Sequence, residues 1–283
     1  MSGIIATGIV AHVPTLSRAE ITPPFQNTLV EGERRLGEKL RALKPDLWVI
    51  ISTHWVSTFN WFVTQQFEHK GMCVADEAPD LIPGMPYRYP GDPVFAQALL
   101  EQWRAANIPA QHNDTPHFTW DYGTFVPLSH LDPQGQVAVV AVPVVLMADI
   151  DECFRAGAAI QATAKQLGRR AVIIASSALT HALVRGRESL PTRERIDADK
   201  RVIDLLKRGA IDDVIAGFAD YAKAGVVEMG GRAIATMLGA TRALSSESGP
   251  LAAHQFGEYA QSSGSGNANL VISDQQTLAA LAY

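Results

Sequence analysis

His12, His54, His181 and Glu228 are the residues whose types and settings could do chemistry. Each histidine stands just beyond a run of β-branched and apolar residues: 4–10 before His12, 47–53 before His54, and 171–175 a few residues before His181. Glu228 follows Val226-Val227 and precedes Met229-Gly230-Gly231. Two imidazoles and one carboxylate can hold a divalent metal on one face and leave adjacent positions open. With Fe(II), those positions accept O2 and a bidentate substrate together. Zinc on the same three ligands, plus a water, would instead hydrolyse a substrate. The candidates are dispersed and form no local motif such as HExxH, so each alone reads equally as a hydrogen-bonded strand-end histidine or, for Glu228, a helix-start acid. His181 has no carboxylate near it in sequence. Its imidazole could take a proton from a substrate hydroxyl near neutral pH, the alternative being a solvated loop histidine. His69, His112, His130 and His254 are expected to be structural or superficial. Ser176-Ser177 lie near His181, but no GxSxG elbow supports a serine hydrolase.

The elements that must position these groups follow from hydrophobic pattern. Residues 4–10 read as a strand buried on both faces, ended by Pro14. Phe25, Leu29, Leu36, Leu40 and Leu43 mark an amphipathic helix stopped at Lys44-Pro45, and 47–53 is a second buried strand. Strand, helix, strand predicts a parallel unit that brings His12 and His54 out on the same sheet edge, where open α/β sheets bind ligands. Residues 59–65 suggest a further strand, and the proline-rich 67–93 suggests a long functional or mobile loop. Asp92-Pro93 opens a helix, 116–124 reads as a packed aromatic loop, 137–145 as a strand and 151–168 as a helix. Three apolar stripes between 192 and 243 predict helices, with Glu228 between the second and third. Two short strands, 256–259 and 269–273, are expected around a flexible 262–266. The expected fold is α/β, with residues 1–283 forming a single large domain whose central, mostly parallel or mixed sheet is flanked by helices.

The totals narrow the function classes. The 283 residues carry 24 basic and 29 acidic side chains, net −5, without a basic run, so nucleic acid is not expected as a partner. No apolar stretch reaches membrane length. Cys73 and Cys153 form no CxxC and suggest neither a disulfide framework nor a thiolate zinc site, which fits a cytoplasmic protein.

The ordered set Ala11-His12-Val13-Pro14, Ser52-Thr53-His54-Trp55, Asp121-Tyr122-Gly123-Thr124, Ala178-Leu179-Thr180-His181, Glu228 ahead of a helix, and Ser-Ser-Gly-Ser-Gly-Asn at 262–267 resembles the class III extradiol ring-cleavage dioxygenases over essentially the whole chain. Within that family the pattern is most similar to homoprotocatechuate 2,3-dioxygenases and the catalytic subunit of 2-aminophenol 1,6-dioxygenase. The resemblance implies Fe(II) held by His12, His54 and Glu228, with His181 as the base that takes a catechol proton. It also implies a small aromatic substrate and O2 as partners, a muconic semialdehyde-type product, and a homo-oligomer. Several relatives have a histidine within the Asp-x-Gly segment where this chain has Tyr122. Tyr122 could bond the substrate, and His117 could take part of the acid role. Met85, Phe118 and Trp120 are candidates to line the substrate pocket, and Arg88, Arg185 and Arg193 are equivalent candidates to meet a substrate carboxylate. Alternative readings are aminophenol cleavage on the same site, a non-catalytic Memo-like binding protein, and zinc-dependent hydrolysis.

Overall fold

A computed structural model describes residues 3–113, 115 and 118–282. In chain order the elements are β1 (Gly3–Val10), α1 (Asn27–Ala42), β2 (Leu47–Ser57), β3 (Trp61–Thr64), β4 (Glu68–Val74), β5 (Pro83–Pro90), α2 (Pro93–Ala105), β6 (Ala110–Asn113), α3 (Tyr122–Leu131), β7 (Ala138–Val145), α4 (Ile150–Gln166) and β8 (Arg170–Ser176). The second part comprises α5 (Arg193–Lys207), α6 (Ile211–Ala224), α7 (Arg232–Ser248), β9 (Leu251–Ser262), β10 (Ser265–Asp274) and α8 (Gln275–Ala282). Among the described residues no helix is long and apolar enough to cross a membrane.

The central sheet is mixed, with strand order β7-β2-β8-β1-β10-β9. β7, β2, β8 and β1 run parallel, while β10 and β9 close the other side antiparallel. β1 and β2 are parallel as expected but do not touch, because β8 lies between them and pairs with both. That register aligns Val10, Ser176 and Ser52 side by side, so the segments that follow β1 and β8 and the last part of β2 meet at one edge.

Alternation along β2 shows how the sheet is buried on both faces. Leu47, Val49 and Ile51 join one core with residues of α2, α4 and α7, whereas Trp48 and Ile50 join another with residues of α1 and α3. Burying each such side chain contributes roughly 1.5–3 kcal/mol. α4 and α7 approach so closely that a Cβ at Gly157 would collide with the Thr236 carbonyl, and one at Gly239 with the Phe154 backbone.

Four expectations need correction. Residues 67–93 are not a long loop: β4 and β5 form an antiparallel pair with Met72 opposite Pro86 and Glu68 opposite Pro90. A two-stranded ribbon has outward N–H positions that form no ladder bond, so its prolines cost little. The alternation of buried Tyr87 and Tyr89 around exposed Arg88 was the overlooked signal. β2 does not end at Thr53 but continues to Ser57 through an irregularity that leaves Thr53, His54 and Trp55 without β7 partners. Pro143 of β7, which has no N–H to donate, stands at that break. The segment 116–124 is not wholly loop, because Tyr122 begins α3 and Asp121 caps it by accepting the Thr124 N–H at 2.9 Å. Finally, 262–266 is a tight hairpin whose turn residues Ser263 and Gly264 have φ of 50° and 83°, joining two long strands rather than two short ones.

The contact between α4 and α7 gives a first test. Gly157→Val should cost about 1–3 kcal/mol by overpacking. The change would be read as a lower urea midpoint at unchanged slope. A midpoint equal to that of the parent protein would mean that the helices do not pack this tightly.

Candidate active site

Three side chains from three distant segments converge at the sheet edge. His12 Nε2 lies 3.2 Å from His54 Nε2 and 3.3 Å from Glu228 Oε1, and His54 Nε2 lies 3.5 Å from that same oxygen. Among the described residues these form a group that could hold a metal ion. Edges of this length suit donors sharing one centre at the roughly 2.0–2.2 Å bond lengths of N and O ligands, so the donor set fits a divalent ion.

The bonds behind these atoms favour the same use. Gly123 is the residue whose carbonyl a helical residue 127 would bond, but position 127 is proline and has no N–H. The freed carbonyl accepts the Ser176 hydroxyl at 2.5 Å. With its proton committed there, Ser176 Oγ accepts from His12 Nδ1 at 3.0 Å, which leaves His12 Nε2 with its lone pair facing His54 and Glu228. His54 Nδ1 likewise meets Glu77 Oε1 at 3.2 Å, so its free lone pair is on Nε2. The His54 backbone N–H bonds Ser52 Oγ at 3.1 Å, and that hydroxyl donates to the α3 cap, Asp121.

Glu228 is fixed on both oxygens. Oε2 accepts the Ala178 N–H at 2.6 Å, and Oε1 accepts from the Thr53 hydroxyl at 3.1 Å. Its N–H donates to the Leu179 carbonyl, and Val227 pairs with Thr180 in a short antiparallel bridge. Glu228 is not the first residue of α7; it leads a 3-10 turn, Glu228–Gly231, that precedes the helix. Val226, Met229, Gly230 and Gly231 all have positive φ around it. For a β-branched residue such as Val226 this conformation costs on the order of 1–3 kcal/mol, and here it delivers the carboxylate. The same bridge holds His181, whose N–H donates to the Val226 carbonyl and whose Nε2 stands 3.8 Å from Glu228 Oε1.

Burial acts to raise the Glu228 pKa, but His12 and His54, with His181 beyond, hold it well below the usual carboxylate range. For His54, burial lowers the pKa while Glu228, Asp121 and Glu77 raise it overall. Burial holds His181 below the ordinary histidine value; Glu228 opposes this, and His12 and His54 reinforce it. Burial, then Glu77 and Glu228, push Tyr122 far above the usual phenol range, so its hydroxyl remains a donor.

A cavity of about 340 Å³ opens over the cluster, lined by His12, His54, His181 and Tyr122 and edged by Glu77 and Arg187. The Tyr122 ring lies 3.8 Å, centroid to centroid, from that of His54. Met85, Phe118 and Trp120 do not line this cavity. Met85 pairs with Cys73 in the β4–β5 ribbon, Phe118 packs on Trp55 at 4.6 Å, and Trp120, 2% exposed, stacks on Tyr87. Trp120 does border a smaller cleft of about 200 Å³ beside His54, Glu77 and Tyr122. His117 lies outside the described residues. Sequence reasoning missed Glu77 and Thr53, and gave Ser176 only a nucleophile's part. Nothing local distinguishes them, because each acquires its role by contact across long separations.

The chain matches the family model described as the catalytic LigB subunit of aromatic ring-opening dioxygenase over residues 7–269. It is 22% identical over 227 residues to 3,4-dihydroxyphenylacetate 2,3-dioxygenase of Escherichia coli, covering 75% of this chain and 82% of that one. Identity to the beta subunit of 2-aminophenol 1,6-dioxygenase from Pseudomonas sp is 27% over 237 residues, covering 75% and 77%, and to its alpha subunit 28% over 219 residues, covering 73% and 78%. In fold it is similar to an uncharacterized Escherichia coli protein of known crystal structure, with a TM-score of 0.67 at 17% identity, covering 94% of this chain and 99% of that one.

Metal content tests the cluster. Glu228→Ala and His54→Ala should each purify without stoichiometric metal, whereas His181→Ala should retain it. Ser176→Ala and Glu77→Gln, which remove only the outer partners, should weaken metal affinity by roughly 10–100-fold. Full metal occupancy in the Glu228 and His54 variants would show that these side chains do not bind it.

Proposed function

The chain belongs to the family of the catalytic LigB subunit of aromatic ring-opening dioxygenases, and on that footing we propose that it cleaves a catechol-type ring beside the diol with O2 at Fe(II) held by His12, His54 and Glu228. The observation that carries this reading is the convergence of two imidazoles, each with its other nitrogen bonded away, on one fixed carboxylate beneath a cavity that also contains His181. Bound Fe(II) would supply the redox chemistry and the open positions that bring O2 and a chelating diol together.

The chain's own residues do the rest. Glu228 contributes the one negative charge of the ligand set, which leaves a bound divalent ion with residual positive charge that favours an ionised diol. His181 is kept neutral by burial, so it can accept the diol proton as the substrate enters. Once protonated it faces Glu228 at 3.8 Å, a position from which it can hold the proton and return it to the opened product. Tyr122 keeps its hydroxyl proton and serves as a donor to a substrate oxygen. The product of such a cleavage is a muconic semialdehyde-type acid. A 2-aminophenol would use the same residues, since an amino and a hydroxyl group chelate as two hydroxyls do; the names of the relatives include both substrate types.

Protein loaded anaerobically with Fe(II) and then given O2 should consume one O2 per ring and form a yellow product from a catechol or a 2-aminophenol. His181→Ala should retain iron and lose roughly 10²–10⁴-fold in rate, the range of a general base. No O2 uptake across a panel of catechols and aminophenols would overturn the reading. In that case zinc in protein purified without added metal would favour hydrolysis, and bound metal with no turnover of any kind would favour a binding protein.

A further inference from the structure

The turn that carries His181 is held by its backbone donors, and each N–H from Ala178 to His181 has an acceptor outside the turn. Ala178 donates to Glu228 Oε2 at 2.6 Å, Leu179 to the Gly266 carbonyl at 2.9 Å, Thr180 to Asp199 Oδ2 at 3.3 Å, and His181 to the Val226 carbonyl at 2.9 Å. Three of these acceptors belong to β10 or to the segment that delivers Glu228. The fourth, Asp199, stands near the middle of α5 and is fully buried.

Asp199 gathers two further donors. Tyr221 of α6 donates its hydroxyl to Oδ1 and Tyr259 of β9 donates its hydroxyl to Oδ2, each at 2.8 Å. Room for them comes from Gly266, the second glycine of the 262–267 motif, where a Cβ would collide with the Tyr259 hydroxyl and with Asp199 Oδ2. Burial pushes the Asp199 carboxyl up to about 6 while its three donors pull it back, so it is ionised at neutral pH. Burying a charge costs stability. Position 199 also lies in register with the buried Val202, Ile203 and Leu206 on α5, where an apolar side chain would complete the stripe. A charged acceptor provides instead a strong, directional bond to the Thr180 N–H. The Thr180 hydroxyl is tied as well, to the Gly225 carbonyl at 2.6 Å, so the residue before His181 is fixed through two of its groups.

We propose that Asp199 is a positioning residue for ring cleavage: through the Thr180 N–H it fixes the turn so that the His181 imidazole stands where it can take the diol proton. This assignment rests on the ring-cleavage reading above. Asp199 does not border the cavity, so it acts through His181 and not on the substrate.

The test compares Asp199→Ala and Asp199→Asn with the parent protein, each alone and combined with His181→Ala, in full-length protein loaded anaerobically with Fe(II). Metal content and O2 uptake with a catechol are measured. Asp199→Ala should retain iron, keep KM near the parental value and lose up to roughly 100-fold in kcat, the cost of a catalytic group displaced by about 1 Å. Asp199→Asn, which keeps a neutral acceptor, should lose less. Neither change should lower kcat further once His181 is alanine, because the group to be positioned is gone. A residue that only supports the fold would cost the same factor in both backgrounds, and that result, or an unchanged kcat in Asp199→Ala, overturns the proposal while leaving ring cleavage standing. If Asp199→Ala does not fold, the asparagine variant decides: a loss in kcat that vanishes with His181→Ala supports the assignment, and a parental kcat or a persistent loss refutes it. If the parent opens no ring, the ring-cleavage reading fails separately. Anaerobic titration with 4-nitrocatechol, whose colour reports its ionisation, then decides for Asp199. Ionisation on binding that is weakened in the Asp199 variants supports the assignment, and equal ionisation throughout, or none in the parent, refutes it.

Discussion

A carboxylate stays ionised inside a protein only when its surroundings replace the water it has lost. Glu228 is 3% exposed, and its charge is the constraint around which the site is arranged. Isolated, such a charge would cost several kcal/mol and would take up a proton instead. Here a backbone N–H and a threonine hydroxyl donate to it, and a divalent ion held between it and the two imidazoles would supply the rest. Both donors come from segments whose backbone is irregular, the unpaired stretch of β2 and the turn after β8, and Glu228 itself sits among Val226, Met229, Gly230 and Gly231, all of positive φ. Irregular backbone is what frees an N–H from the sheet ladder to serve a charge.

The parallel arrangement supplies the other half of the design. Aligning Val10, Ser176 and Ser52 across three strands fixes the places from which His12, His54 and the 178–181 turn emerge, and the two cores clamp the strands from either face. The N-terminus of α3 then acts on both histidines at once. Its cap, Asp121, holds Ser52 and through it the His54 backbone; its second residue, Gly123, holds Ser176 and through it the His12 ring. The Asp121-Tyr122-Gly123 motif is therefore structural support for the ligand cluster as well as the source of a phenol beside it.

This division explains what could be read from the sequence. The strands of the central sheet and most helices were legible because the alternation of apolar residues and the glycine and proline punctuation are local, and so were the positions of His12, His54 and His181 after strands and of Glu228 between two helical stripes. α3 was not, because Pro127 and the aromatic residues before it argue against a helix, and only the neighbouring packing makes that helix worth forming. The β4–β5 ribbon was hidden by its prolines, which matter only in a strand whose outward N–H groups are needed. Ser176 could not be seen as a partner of His12 across 164 residues, nor Glu77 as a partner of His54, because their side chains become neighbours only once the sheet register is set.

Pro127 marks a place where stability and function favour opposite residues. By helix propensity alone, an alanine there would strengthen α3 by up to about 3 kcal/mol. It would also restore the N–H that reclaims the Gly123 carbonyl, and the Ser176 hydroxyl would lose its acceptor. Ser176 could then turn and donate to His12 Nδ1 instead of accepting from it, stabilising the tautomer that carries its proton on Nε2. A redesign guided by thermal tolerance would choose this substitution early, and would exchange a well-formed ligand for a well-formed helix.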